Sequence, residues 1–253
     1  MTPPLDVSFV VPCHDEAGNL RALVAGIHAA AGGLGVSYEI VITDDASDDS
    51  SWVVLRELAA HDPRLRAQRF ARNCGESAAS WAGMLASRGR IIVTLDADLQ
   101  NDPAEIPRFL AALDDADCVC GTRVEARRSG DDWLRVLSSR IANGVRVHLA
   151  GGDISDAGCT YRAFRRECLA NIRFFRGIHR FLPTLIAMEG FRVCEIPVRN
   201  RPRVSGRSHY GVRNRVFVAL ADLLAIRWMK SRAVRYEIAE STDRAQEERR
   251  GSP

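Results

Sequence analysis

Ile91-Ile92-Val93-Thr94-Leu95-Asp96-Ala97-Asp98-Leu99-Gln100 decides the reading of this chain. Its first half is a continuous β-branched and leucine run, the signature of a strand buried on both faces. Its second half places two carboxylates two residues apart, immediately past that strand. Two such groups cannot both enter a core, but where the chain turns they can converge on one hard cation. Working outward, the same grammar repeats. Val7–Val11 ends at Pro12-Cys13-His14-Asp15-Glu16, and Tyr38–Thr43 ends at Asp44-Asp45-Ala46-Ser47-Asp48-Asp49. Shorter strands are expected at 65–70 and 118–121. Helices are expected from Asn19, as N-cap, to 31 and then from Ser50 or Ser51 to about 60, at 77–87 and at 105–113. Strands separated by helices of 10 to 15 residues indicate βαβ units and a parallel sheet covered on both faces. In such sheets ligands bind beyond the carboxyl ends of the strands, so the acidic clusters should share one crevice.

The second half is less regular. A long helix is expected over 131–149, a strand over 158–164, a helix over 180–188 and a strand over 191–198. Residues 199–211 form a basic, Pro- and Gly-containing loop, 212–232 a last helix, and 237–253 a charged tail expected to be disordered. This divides the chain into a body (1–211), an amphipathic helix that associates with a membrane or a partner (212–236) and a tail (237–253).

Composition narrows the function further. The 253 residues are 46% apolar and 26% charged, within the globular range, with a formal charge of +3. That charge is unevenly placed. Residues 199–235 carry ten basic side chains against Asp222 alone, which leaves the rest net acidic, and Lys230 is the sole lysine. An acidic body with an arginine-rich end suggests an anionic partner. Nucleic acid is disfavoured, because the basic segment is an apolar helix. The seven cysteines show no CxxC pair, so buried, reduced thiols are expected rather than zinc or disulfides. No stretch reaches the 18 to 20 apolar residues of a membrane span, and no secretory leader is evident. A cytoplasmic protein is expected.

Several motifs arrive in one order: 11–16 (Val-Pro-Cys-His-Asp-Glu), 44–48 (Asp-Asp-Ala-Ser-Asp), 72–75 (Arg-Asn-Cys-Gly), 96–100 (Asp-Ala-Asp-Leu-Gln), 117–123 (Asp-Cys-Val-Cys-Gly-Thr-Arg) and 206–211 (Gly-Arg-Ser-His-Tyr-Gly). Together with Arg180-Phe181-Leu182-Pro183 and Glu195-Ile196-Pro197-Val198, the set resembles the family 2 glycosyltransferases, in the branch of dolichyl-phosphate mannosyltransferases and bactoprenol glucosyltransferases. The resemblance implies an α/β GT-A fold (a Rossmann-like nucleotide-binding sheet with helices on both faces) and inverting transfer from a GDP- or UDP-sugar to a polyprenyl phosphate. It assigns Pro12, His14, Glu16, Thr43 and Asp45 to the nucleoside. Asp96, Ala97, Asp98 and Gln100 would hold Mg²⁺ or Mn²⁺ and the diphosphate, the metal falling to Asp96, Asp98 and Gln100. Arg123, Arg203 and His209 would contact phosphates; His209 stands where the family usually has Lys.

A phosphate acceptor is already ionised near neutrality, its second pKa being about 6, and needs cationic positioning rather than a base. Arg123, Arg127, Arg128, Arg135 and Arg140 are candidates for it. A sugar-hydroxyl acceptor, as in capsule or lipopolysaccharide assembly, would need a general base, for which Asp156 is the candidate. A nucleotidyltransferase would need a Gly-rich, basic loop after the first strand, and 13–19 is not one. A regulatory protein that binds nucleotide-sugar without turnover is the third alternative. Val216–Ile226, apolar except Asp222 and flanked by Arg213, Arg215, Arg227, Lys230 and Arg232, is expected to lie in the membrane interface at the inner face of the cytoplasmic membrane. Related chains continue into transmembrane helices after this point, so a separate membrane-anchor subunit is the expected partner.

Overall fold

The computed structural model describes residues 5–123, 156, 158–199, 213–232 and 234, with side chains of the last helix from 221 onward. Among the described residues seven strands form one sheet: β1 Val7–Cys13, β2 Tyr38–Asp44, β3 Leu65–Arg69, β4 Ile91–Thr94, β5 Cys118–Thr122, β6 Arg162–Arg165 and β7 Val193–Pro197. Their order is β3-β2-β1-β4-β6-β5-β7. The sheet is mixed rather than parallel throughout. β6 runs antiparallel to β4 and β5, with Thr94 opposite Arg162, while the other pairs are parallel. The chain order steps outward from β1 to β2 and β3, then returns to β4 on the other side of β1. The carboxyl ends of β1 and β4 therefore flank a topological switch point, where a crevice opens.

Helices cover both faces: α1 Ala17–Gly32, α2 Ser51–His61, α3 Glu76–Ala86, α4 Ile106–Ala112, α5 Ile178–Met188 and α6 Arg213–Arg232. Period-two alternation splits each strand between two cores. Phe9 and Val11 of β1, with Val93 of β4, join Leu20, Leu23 and Ile27 of α1 and Phe109 of α4. Val10 and Ile92 face the other way, onto Met84 of α3 and Phe181, Leu182 and Ile186 of α5. At about 25 cal/mol per Å² of apolar area removed from water, this double-sided burial is the main stabilising term.

The end of the sheet away from the crevice is held by a buried carboxylate. Glu39 accepts the Ser8 hydroxyl (2.8 Å), an Arg66 N–H (2.8 Å) and the Arg88 backbone N–H (2.5 Å). Burial opposes its ionisation, but these donors outweigh burial and hold its pKa below the usual 4.5.

Three expectations change. Asn19 is not the cap of α1: the helix begins at Ala17, and Asn19 is buried inside its first turn with its amide on the Glu16 carboxylate. The strand expected at 158–164 begins only at Arg162. The last helix spans Arg213–Arg232, yet the residues from 221 onward do not divide cleanly into an apolar and a polar side. Leu223 and Ile226 pack into the α3/α5 core, whereas Leu224, Trp228 and Met229 are exposed among Arg227, Lys230 and Arg232. The helix expected at 131–149, most of the basic loop and the tail lie outside the described residues. All seven cysteines are free thiols, five of them buried, with Cys74 exposed.

Candidate active site

The loops after β1 and β2 are laced together. Asp15 Oδ1 accepts the Asp48 and Asp49 backbone N–H groups. In return the Ser47 and Ser51 hydroxyls accept the N–H groups of Asp15 and Glu16. Much of the second acidic cluster is thus structural. Asp44 is buried against Ser47 and Arg69, and Asp49 accepts the N–H groups at the starts of α1 and α2. Asp45 reaches across to the third loop, where its two carboxylate oxygens accept the N–H groups of Cys74 (2.7 Å) and Gly75 (2.8 Å). Asn73 donates to the Asp45 carbonyl and lies against the His14 ring. One wall of the crevice is therefore His14, Asn73 and the Asp45-pinned loop, with half-exposed Glu16 beside them.

Thr43 has a different place. It is fully buried, and its hydroxyl accepts the Gln68 side-chain amide beneath α3. Thr43 supports the floor of the crevice and does not line it.

Three of the four crevice loops turn through a left-handed non-glycine residue: Asp15 at φ 56°, Ala46 at φ 55° and Leu99 at φ 62°. Such backbone costs about 1–2 kcal/mol per residue. Its recurrence at the switch point is the pattern of strain held at functional loops. In the fourth loop, the Leu99 turn folds the chain so that Asp98 Oδ1 accepts the Gln100 N–H (3.1 Å), while Asn101 Oδ1 takes the Asp96 N–H (2.9 Å). Thr160, arriving from the β6 side, donates its hydroxyl to Asp96 Oδ2 (2.6 Å). Ala97 is buried between the two aspartates.

Burial pushes the Asp96 carboxyl above its usual range. The Thr160 bond, Arg123 and Arg162 pull it back down, whereas Asp98 pushes it further up. Two mutually repelling carboxylates, Asp98 buried and Asp96 partly so, are a donor set that a divalent cation stabilises. All the candidate ligand atoms are oxygen, which suits Mg²⁺ or Mn²⁺ completed by phosphate and water. The residues present fit the group, with Gln100 at hand for a further oxygen.

Arg123 and Asp156 stand together. The Asp156 carboxylate accepts from the Arg123 backbone N–H (3.2 Å), Nε (2.9 Å) and Nη2 (3.3 Å). The Asp156 N–H in turn rests on Glu195 of β7 (3.1 Å). Sequence reasoning treated the two as separate groups, a phosphate contact and a base. Arg203 and His209 lie outside the described residues, as do Arg127, Arg128, Arg135 and Arg140. Asn101, Thr160 and Glu195 were missed. Asn101 directly follows the motif and was legible there; nothing local marks the other two.

Residues 8–173 match the profile of Glycosyl transferase family 2. The chain belongs to that family. Among curated relatives, this family 2 glycosyltransferase is 39% identical over 208 residues to the undecaprenyl-phosphate 4-deoxy-4-formamido-L-arabinose transferase of Edwardsiella ictaluri, covering 81% of this chain and 63% of the relative. It is 32% identical over 227 residues to the dodecaprenyl-phosphate galacturonate synthase of Rhizobium johnstonii, covering 88% of this chain and 66% of that protein. The glycosyltransferase chain thus spans a little under two thirds of the length of these relatives. Among solved structures it resembles a mannosyltransferase from Pyrobaculum calidifontis in complex with GDP-Man and Mn²⁺, with TM-score 0.60, 21% identity, and coverage of 94% of this chain and 67% of that one. It also resembles mannosyl-3-phosphoglycerate synthase from Rubrobacter xylanophilus, with TM-score 0.64, 17% identity, and coverage of 96% and 79%. These likenesses establish the GT-A fold of the glycosyltransferase.

Proposed function

We propose that the protein transfers a sugar from a GDP- or UDP-sugar to a polyprenyl phosphate, with inversion, at the cytoplasmic face of the membrane. The observation that carries this reading is the meeting of Asp96 and Asp98 at the carboxyl end of β4, where the switch-point crevice opens. The relatives named for undecaprenyl and dodecaprenyl phosphate support the acceptor class. In this reading Pro12, His14, Glu16, Asn73 and Asp45 frame the nucleoside, and Asp96, Asp98 and Gln100 hold Mg²⁺ or Mn²⁺. The ion would supply neutralising charge for the diphosphate of the donor.

The anomeric carbon exchanges its bond to the diphosphate oxygen for one to an acceptor phosphate oxygen, and the nucleoside diphosphate leaves with the electron pair. No proton need be removed from an ionised phosphate. Asp156 then serves to orient Arg123, with Arg203 and His209 as further phosphate contacts. A guanidinium already held flat by a carboxylate presents its remaining edge to phosphate at little entropic cost.

Membrane contact falls to α6. Among the described residues no helix is long and apolar enough to cross a bilayer. Exposed Leu224, Trp228 and Met229 beside Arg227, Lys230 and Arg232 suit the interface of an anionic leaflet. A separate membrane-anchor subunit would extend that contact.

The test is a panel of nucleotide-sugars incubated with polyprenyl phosphate and Mn²⁺ or Mg²⁺, scored for glycolipid. One donor should give product, lost in Asp98→Asn and retained in the exposed-surface control Asp114→Asn. Product on soluble sugars alone would favour the hydroxyl-acceptor enzyme, and binding without turnover a regulatory protein.

A further inference from the structure

Thr160 stands two residues before β6, and the aspartate it touches lies 64 residues away in sequence. Its hydroxyl donates to Asp96 Oδ2 at 2.6 Å, the short distance of a hydrogen bond to an ionised carboxylate. A threonine hydroxyl has a single proton to give, so this bond sets the rotamer of Thr160 and the carboxylate together. Thr160 is itself held from both sides. Its carbonyl accepts the Thr94 hydroxyl at 2.6 Å, which fastens it to the last residue of β4. Before it, the Cys159 N–H closes a turn on the Asp156 carbonyl (3.1 Å), and Asp156 is anchored on Arg123 and Glu195. The Asp96 backbone is pinned as well, its N–H on Asn101 Oδ1. What remains to be fixed in Asp96 is the direction of its carboxylate, and the Thr160 bond fixes it.

Resting on the assignment of Asp96 and Asp98 to the ion above, we infer that Thr160 is a positioning residue for that ion. By holding Asp96 Oδ2, it sets the orientation in which Asp96 meets the cation shared with Asp98. Packing alone does not account for the bond. Thr160 is only half-buried, so water could satisfy its hydroxyl, yet its proton goes to a candidate metal ligand. Asp98 repels Asp96, so a carboxylate without this donor would be driven to turn away from its neighbour. A ligand that is loose before the ion arrives must be ordered on binding, and that loss of freedom weakens affinity. A hydrogen bond made in advance offsets the loss, which is why partners of ligating carboxylates affect metal affinity without touching the metal. The hydroxyl is the part that matters. Serine supplies the same proton from the same atom, valine keeps the shape without the proton, and alanine removes the donor and the bulk.

Titration of Mn²⁺ into the protein, followed by the electron paramagnetic resonance signal of the free ion, tests this with UDP present in one series and GDP in another. Wild-type protein should take up the ion in at least one series, and Asp98→Asn should not. In that series Thr160→Val should bind Mn²⁺ roughly tenfold or more weakly, whereas Thr160→Ser should stay within about twofold of the wild type. Thr160→Ala should weaken binding as Thr160→Val does, so the test stands if one of the two does not fold. Thermal unfolding in chelator checks the fold of each. Wild-type ion affinity in a folded Thr160→Val or Thr160→Ala protein would overturn the inference while leaving the metal site intact. Weakening in Thr160→Ser equal to that in Thr160→Val would do the same, because it would make the methyl group and not the hydroxyl decisive. Ion uptake in neither series, or uptake undiminished in Asp98→Asn, would overturn both the inference and the metal site it rests on.

Discussion

Arg123 and Asp156 form a largely buried pair, Nε to Oδ2 at 2.9 Å, 33 residues apart in sequence and at the carboxyl end of β5. Removing one member of a buried pair leaves an uncompensated charge, at a cost of about 3–5 kcal/mol. Asp156→Ala should therefore lower stability by that order in urea unfolding. Asp156→Asn keeps the shape and one acceptor, and should reduce glycolipid formation without abolishing it. Complete loss of turnover in a folded Asp156→Asn protein would instead identify Asp156 as a base acting on a sugar hydroxyl.

Asp96 titrates against the fold. Its pKa is raised by burial, so the stability it contributes is greatest below the unfolded carboxylate pKa of about 3.9 and is lost as pH rises through the folded value. In chelator at neutral pH, Asp96→Asn should be more stable than the wild type. With Mn²⁺ and donor present the order should reverse, since binding stabilises only the protein that can bind. Thermal unfolding in the two buffers checks both signs.

Glu39 has the opposite sign. Its folded pKa lies below 4.5, so its contribution is present above that pH and fades as pH falls below it. Glu39→Gln should lower stability at neutral pH and flatten the acid limb of the stability curve. The crevice lies at the other end of the sheet, so donor affinity should be unchanged.

Ala46 holds a left-handed backbone at φ 55° directly after Asp45. Glycine adopts this conformation freely, and the gain outweighs the extra entropy of the unfolded chain. Ala46→Gly should raise stability by roughly 0.5–1 kcal/mol in urea unfolding with the m-value unchanged.

What was legible in the sequence follows from where the information is local. β1, β2 and β4 are β-branched runs that end at polar clusters, so their positions and the crevice beyond them could be read directly. β6 could not be read in the same way. Arg162–Arg165 carries two arginines in four residues, and Arg162 is buried only because an antiparallel neighbour and α5 enclose it. The second acidic cluster was legible as acidic and not as divided: Asp44 packs inward on Arg69, and Asp45 reaches the Cys74–Gly75 amides, by virtue of a turn at Ala46 that no propensity marks. Thr43 was misplaced because strand alternation points it at α3 and not at the crevice. The Thr160 bond to Asp96 spans 64 residues and depends wholly on tertiary structure.

The surface of α6 gives a separate expectation. Trp228, 63% exposed, should shift its fluorescence to the blue when phosphatidylglycerol vesicles are added. Trp228→Ala and the charge-reduced Arg227→Gln/Lys230→Gln protein should sediment less with those vesicles, and neutral vesicles should not compete.

Titration of a turned-over sugar nucleotide into the protein, once with Mn²⁺ and once with chelator, tests the central claim most directly. The paired-aspartate account predicts affinity at least roughly tenfold higher with the ion, and no such difference in Asp98→Asn. Equal affinity in both buffers for the wild-type protein would contradict it.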